Sequence, residues 1–352
     1  MRAVHFIVPA GIDDPARPSG GNVYDRRISS GLAAAGWAVQ VKEVAGSWPW
    51  PDQQSLEALA DAVGAVPDGA LVLFDGLVAS LAPEVLCTEA GRLRLVVLVH
   101  MPLGYGATNG GALDKEGAVL SEAASVITTS AWARRALLEL YPLPSDRVHI
   151  AEPGVDSCAL ASGTETSGAF LSVAAVIPGK GHDVLLDALE PLVGLCWQCE
   201  CVGSLERDPA FVQRLRRRVS NGGMDDRVRF SGTQATAQLA NSYAAADVLV
   251  VPSRGETYGM VIAEALARGL PVVAAEVGGV PEAMGQGADG TRPGLLVPPD
   301  DPAALRNALR AWLEDSALRE RLRAAARERR TSLLDWSTTT STVAEVLQVA
   351  LR

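Results

Sequence analysis

Short, almost unbroken apolar runs alternate along the chain with stretches whose apolar positions recur at helical spacing. Residues 3–8 form such a run, a helical pattern follows near 24–35, and a second run occupies 38–44, which is the order β-α-β. Further apolar runs stand at 70–74, 93–99, 126–129 and 148–151, with helical stretches such as 55–63 and 131–140 filling the gaps. A strand that is apolar at every position is buried on both faces, as in a parallel sheet covered by helices. Residues 157–168 break the rhythm: they are mostly Ala, Ser, Gly, Thr and Glu without periodicity, a composition that reads as a flexible connection. Beyond them the alternation resumes at 170–176, 196–202, 228–230, 248–251 and 271–274. A charged amphipathic pair at 303–315 and 316–330 follows, and a final helix lies near 338–351. The pattern predicts an α/β chain of two doubly wound domains, residues 1–156 and 169–332, joined by the 157–168 linker, with residues 333–352 crossing back to the first domain.

A chain of 352 residues exceeds what one hydrophobic core usually supports, which agrees with two domains. The formal net charge of −10 opposes binding to nucleic acid and to anionic lipid. No run of 18 uninterrupted apolar residues offers a membrane span, and the opening run at 4–10 is short and holds His5 and Pro9, so neither stable membrane insertion nor a secretory leader is expected. Five cysteines, an odd number, point away from a disulfide framework and toward a reducing compartment, with the cytoplasm as the expectation. Cys196, Cys199 and Cys201 lack a matching second pair of ligands, so they read as a buried strand, and no metal site is expected. Arg214, Arg216, Arg217 and Arg218 read as the solvated face of a helix.

The densest chemistry lies between Pro252 and Glu264, where a strand end leads through Gly255 and Gly259 into a helix start. Glu256 and Glu264 bracket seven residues, with Glu264 expected about two turns into the helix. The free amides of Gly259, Met260 and Val261 at that helix N-terminus suit a phosphate. Lys180 follows a turn built on Pro178 and Gly179, which lifts a point charge to a strand's carboxyl end, where open parallel sheets bind ligands. Gly20 and Gly21 are expected in a loop after the first strand, with Asn22 and Tyr24 lining an acceptor pocket beside them. His100, Asp75 and Ser130 each follow an apolar run and share the strand-end placement.

The 252–264 segment resembles the E-x7-E signature of family 4 retaining glycosyltransferases with the GT-B fold, two Rossmann-like domains facing across a cleft. The likeness extends through Gly20-Gly21, Gly154-Val155-Asp156, Pro178-Gly179-Lys180-Gly181, residues 228–232, Ala246-Asp247, residues 278–282 and residues 294–297. The resemblance implies transfer of a hexosyl group, with retention of configuration, from a nucleoside diphosphate sugar to a small soluble acceptor, without metal or cofactor. It implies that Glu264 holds the ribose hydroxyls, that Glu256 meets the donor sugar, that Gly20, Gly21 and Lys180 attend the diphosphate, and that Thr257 and Tyr258 belong to the donor-binding set. It also places His100 near the reacting carbon, so that His100, Glu256 and Lys180 form the implied catalytic set, while Asn22, Tyr24, Asp75 and Ser130 serve the acceptor. One departure stands out: the family's Arg five residues before the Lys is here Ala175, with Arg254, Arg26 or Arg27 as candidate stand-ins. A nucleotide-sugar epimerase or a sugar phosphorylase on the same fold remains a rival reading. A catalytically silent partner subunit, suggested by Ala175, is another.

Overall fold

The computed structural model describes residues 2–14, 18–106, 110–287 and 289–352. The chain separates into two compact units, one built from the first strand, Ser19–Gly154 and Leu334–Arg352, the other from Val155–Leu333.

The first unit holds six strands, β1 (Ala3–Pro9), β2 (Ala38–Val44), β3 (Leu71–Asp75), β4 (Arg94–Val99), β5 (Ser125–Thr128) and β6 (Val148–Ile150). Every pairing is parallel and the spatial order is β2-β1-β3-β4-β5-β6. Burial explains the unbroken apolar runs: alternate residues of β3 and β4 feed two separate cores. Val72, Phe74, Val97 and Val99 join the core on one face, while Leu71, Leu73, Val96 and Leu98 join the other. The second face is covered by the Gly20–Ala34 helix and by the last helix, Trp336–Ala350, which contributes Val343, Val346 and Leu347. The two helices cross closely at Gly31, where a Cβ would collide with the Thr340 side chain.

The second unit repeats the scheme with β7 (Ala169–Val173), β8 (Gln198–Val202), β9 (Val228–Gly232), β10 (Val248–Val251), β11 (Val272–Ala275) and β12 (Gly294–Val297). Its order is β12-β11-β10-β7-β8-β9, all parallel. Counted from its own first strand this is the order 3-2-1-4-5-6 read from the other edge, the arrangement of dinucleotide-binding sheets. Cys199 and Cys201 are buried on β8 with free thiols, as expected of a core strand, whereas Cys196 is exposed and precedes the strand. Arg214, Arg216 and Arg217 lie exposed on the Pro209–Asn221 helix, with Arg214 over the Phe211 ring, while Arg218 reaches Asp187 and Glu190 on the preceding helical segment.

Two local expectations change. Gly20 and Gly21 are not loop residues but the first turn of the Gly20–Ala34 helix, because Ser19 caps it by accepting from the Asn22 amide at 3.0 Å. The 157–168 connection, read as flexible from its composition, is tied to the second unit. The amides of Ala161 and Ser162 donate to the carbonyls of Arg268 and Ala244, and buried Asp247 accepts from the Thr164 amide at 2.9 Å and its hydroxyl at 2.5 Å. The segment after β4 enters a helix at Gly110, and residues 107–109 lie outside the described residues. Buried Glu116 in that helix accepts from the amides of Leu103 and Gly104 and from the Tyr141 hydroxyl. No helix among the described residues is long and apolar enough to cross a membrane.

The helix crossing gives a stability prediction. Gly31→Ala forces Thr340 and its helix outward, and overpacking of this kind costs about 1–3 kcal/mol. Urea denaturation of Gly31→Ala beside Gly36→Ala, where a Cβ meets nothing within 4 Å but φ is +86°, separates helix crowding from backbone strain.

Candidate active site

In the second unit the strand order reverses between β7 and β10, and the chain leaves these neighbours toward opposite sides. Lys180 ends the short turn Pro178–Lys180 that follows β7, and Gly181 closes it with φ 69°, a conformation glycine adopts without strain. A Cβ on Gly181 would collide with the Pro252 carbonyl, so the absence of a side chain lets the Lys180 turn close onto the end of β10. That approach brings Lys180 Nζ to 2.7 Å from Glu256 Oε1. Ser253 Oγ donates to the same oxygen at 2.8 Å. On the other side of Glu256, Gly279 N donates to its carbonyl at 2.9 Å, with Gly278 and Gly279 packed too close to residues 256–258 to carry a Cβ. Glu256 is therefore fixed through both its side chain and its backbone.

The helix Met260–Ala267 starts from Gly259 at φ 94°, and no side chain caps that end. Thr257 is half-buried in the turn before it and Tyr258 is buried in the core beneath it. Because the helix begins at Met260, Glu264 stands little more than one turn in, not two. Its Oε2 accepts from the Tyr243 hydroxyl at 2.9 Å. Tyr243 is fully buried, and burial followed by the Glu264 charge pushes its phenol well above the ordinary range, so it stays a donor. Arg268 lies over the Tyr243 ring at 4.5 Å and donates to the Glu264 carbonyl. Sequence reading missed Tyr243, whose only signal was an aromatic on the helix preceding β10, 21 residues from its partner.

The candidate stand-ins for the missing arginine already have partners, Arg254 at the Lys180 turn and Arg26 and Arg27 in the first unit. Arg254 forms a paired bond to Asp183 at 2.9 and 3.0 Å, another to Asp300 at 2.6 Å, and a contact with the Pro178 carbonyl. Arg26 bonds the Ile12 carbonyl and Arg27 lies over the Trp336 ring, both within the first unit. His182, next to the Lys180 turn, is buried with both ring nitrogens unpartnered; burial lowers its pKa to about 4, so the ring is neutral at ordinary pH.

The first unit's reversal lies between β1 and β3. Here Asp25 Oδ1, on the Gly20–Ala34 helix, lies 2.9 Å from His100 Nε2, and a Cβ on Gly21 would stand 3.2 Å from the His100 ring. Asp75 ends β3, where its Oδ1 accepts from the Leu77 amide at 2.7 Å. One ligand atom from each of Asp25, Asp75 and His100 falls within 4.8 Å of the others, the one such group among the described residues. Three of the four residues expected to line an acceptor pocket are fully buried. Tyr24 is fully buried and donates to the Ala151 carbonyl at 2.8 Å, Ser130 is buried and caps the Ala131–Leu140 helix at the Ala133 amide, and Asp75 has no exposed surface. Asn22 stays half-buried. Strand-end position located these residues but did not say which way each side chain turned.

Two doubly wound sheets with chemistry at their reversal points define the GT-B class, and the chain superposes over nearly its full length on members of it. It matches sucrose-phosphate synthase from Thermosynechococcus elongatus with a TM-score of 0.79, at 24% identity over 99% of this chain and 98% of that one. Anabaena Alr3699/HepE in complex with UDP and glucose gives a TM-score of 0.78 at 19% identity, covering 99% of this chain and 100% of that one. At such identities the likeness shows the fold. Residues 168–315 match the family described as glycosyl transferases group 1, so the second unit carries a domain of that family. Among sequence relatives, the D-inositol 3-phosphate glycosyltransferase of Kineococcus radiotolerans is 34% identical over 265 residues, 69% of this chain and 61% of that one. The enzyme of the same name from Jonesia denitrificans is 34% identical over 233 residues, 59% of this chain and 53% of the relative. The chain thus spans between half and two thirds of the length of these curated relatives.

Two predictions follow from the second unit. Tyr243→Phe removes the donor that holds Glu264, and a hydrogen bond to a charged group is worth about 1.5–3 kcal/mol. Urea denaturation of Tyr243→Phe should therefore show the fold destabilised by about that amount. For His182 the folded pKa lies below the free value of 6.5, so the protein's share of stability from this group is whole above about pH 6.5 and declines as pH falls toward about 4. Thermal melting across that range should fall less steeply in His182→Leu.

Proposed function

We propose that the protein is a retaining glycosyltransferase that moves a hexosyl group from a nucleoside diphosphate sugar to a small soluble acceptor without a bound metal. The observation that carries this reading is the Lys180–Glu256 contact of 2.7 Å at the strand reversal of the group 1 segment, with Glu264 held in place on the adjoining helix. The UDP complex of the Anabaena neighbour and the names of the relatives support a nucleotide-linked sugar as donor. Free thiols at all five cysteines agree with a cytoplasmic setting.

In this reading each group has a task set by its charge and reach. Lys180 carries three N–H donors, so it bonds Glu256 and a phosphate oxygen at once and offsets charge that grows on the diphosphate as the glycosidic C–O bond breaks. Both described side-chain bonds to Glu256 fall on Oε1, which leaves Oε2 to accept from a sugar hydroxyl. The open amides at Met260 and Val261 face the same negative charge from the helix N-terminus. Glu264, anchored through Oε2, offers its carboxylate to the ribose hydroxyls. The acceptor attacks the face from which the diphosphate departs, and the departing phosphate oxygen takes the acceptor proton, so no separate side-chain base is required.

The test is a thermal-shift screen of uridine, guanosine and adenosine diphosphate sugars, then turnover with sugar, polyol and inositol-phosphate acceptors. Lys180→Ala and Glu264→Ala should each weaken donor binding about tenfold or more, in line with about 1.5–3 kcal/mol per charged hydrogen bond. NMR of the product should show the donor's anomeric configuration, and a chelator should leave the rate unchanged. Full turnover in both folded variants, an inverted product or loss of activity on chelation contradicts the corresponding part of the proposal. Epimerisation of donor without acceptor would favour the rival chemistry, and donor binding without turnover over the whole panel would favour a binding subunit.

A further inference from the structure

Three elements of the first unit deliver two fully buried carboxylates to one imidazole. Asp25 comes from the helix after β1, Asp75 from the end of β3, and His100 from the residue after β4, whose side chain is 14% exposed. Asp25 Oδ1 is 2.9 Å from His100 Nε2, and the Asp75 carboxyl is within hydrogen-bonding reach of Asp25. Asp25 Oδ2 and Asp75 Oδ2 are both buried without a donor. A polar atom left in that state costs about 1–3 kcal/mol, and more if charged. Two ionised carboxylates beside a neutral ring would bury two negative charges together, which the interior does not tolerate. A proton between the carboxylates supplies a partner for the orphaned oxygens. A second proton on the ring leaves the cluster without net charge.

We infer that Asp25 is a positioning residue for His100: with Asp75 kept as the neutral acid beside it, Asp25 fixes the ring as an imidazolium whose Nδ1–H is the donor left for a sugar hydroxyl or phosphate oxygen. The substrate named here rests on the transfer reading above; the charge arrangement itself does not. Burial acts to lower the His100 pKa, but the charge and hydrogen bond of Asp25, and then Asp75, bring it up to about 9. Burial, followed by the charge of Asp25, holds Asp75 well above the usual carboxylate range. The other titratable group against the ring is Tyr24, edge-on at 5.3 Å, whose hydroxyl is spent on Ala151 and is driven further from titration by burial. An imidazolium in this place is an electrophilic donor, suited to stabilising charge on oxygen, and not a base.

The chain has four histidines, so 15N-histidine NMR resolves each ring, and His100→Gln assigns the signal. In the wild type, His100 should remain doubly protonated through neutral pH with a midpoint near 9, and in Asp25→Asn the midpoint should fall to 6.5 or lower. Asp75→Asn copies the shape of a neutral acid and should leave the His100 midpoint well above 6.5. These readings need no substrate, so they stand or fall apart from the transfer reading. With an active donor and acceptor pair, Asp25→Asn should lower kcat about tenfold, equivalent to 1.4 kcal/mol, with KM altered less than about threefold, and should turn a flat profile between pH 6 and 8 into one that falls as pH rises. A neutral His100 at pH 7 in the wild type, an unmoved midpoint in Asp25→Asn, or an equal drop in Asp75→Asn would overturn the inference. So would one equivalent of divalent metal in the purified protein by mass spectrometry, if removing it shifts the His100 signal, because the three side chains would then be ligands.

Discussion

The chemistry of this chain depends on a constraint of parallel sheets: where the strand order reverses, two neighbouring strands send the chain toward opposite faces, and only side chains are left to occupy the gap. In the second unit β7 and β10 part company in this way, and the gap receives Lys180 from one and Glu256 from the other. In the first unit β1 and β3 part, and the same kind of gap receives Asp25 and Asp75, with His100 arriving from β4. Each cluster is assembled from segments far apart in sequence because the sheet, not the local chain, brings them together.

The two clusters differ in what surrounds them, and that sets what each can do. Lys180 and Glu256 keep 28% and 14% of their side chains exposed, so the pair is screened by solvent and adds little to stability. Its geometry is nonetheless held tightly, by the glycine contact at residue 181 and by the 278–279 turn on the far side of Glu256. A fixed, weakly stabilising, water-accessible pair is an arrangement that a charged ligand can join. In the Asp25 cluster both carboxylates are fully buried, and there the cost of each unmatched charge dictates where protons reside.

Much of the architecture was legible from the chain because strands buried on both faces are apolar at nearly every position, as in β3, β4, β10 and β11, whereas the edge strands β2 and β9 are partly polar and exposed. The spacing of Glu256 and Glu264 was equally visible, since both lie on one strand-loop-helix passage. Side-chain direction was not. Tyr24 and Ser130 stand where a pocket residue would, yet their hydroxyls are used by Ala151 and by a helix cap. Asp25 reads in sequence as one polar position of an amphipathic helix, and its partner lies 75 residues away. Composition also misled at 157–168, where small polar residues suggested slack, because the acceptor that fastens them, Asp247, belongs to a later strand.

The last helix has a consequence for biosynthesis. Val4, Phe6, Leu73 and Leu98 form a sheet face that Val343, Val346 and Leu347 help to cover, although the chain between is the entire second unit. A nascent chain on the ribosome therefore carries its first sheet with one oily side partly bare while some 180 further residues are translated and fold. The first unit begun is the last to be completed, and any chaperone that shelters it must wait for the tail.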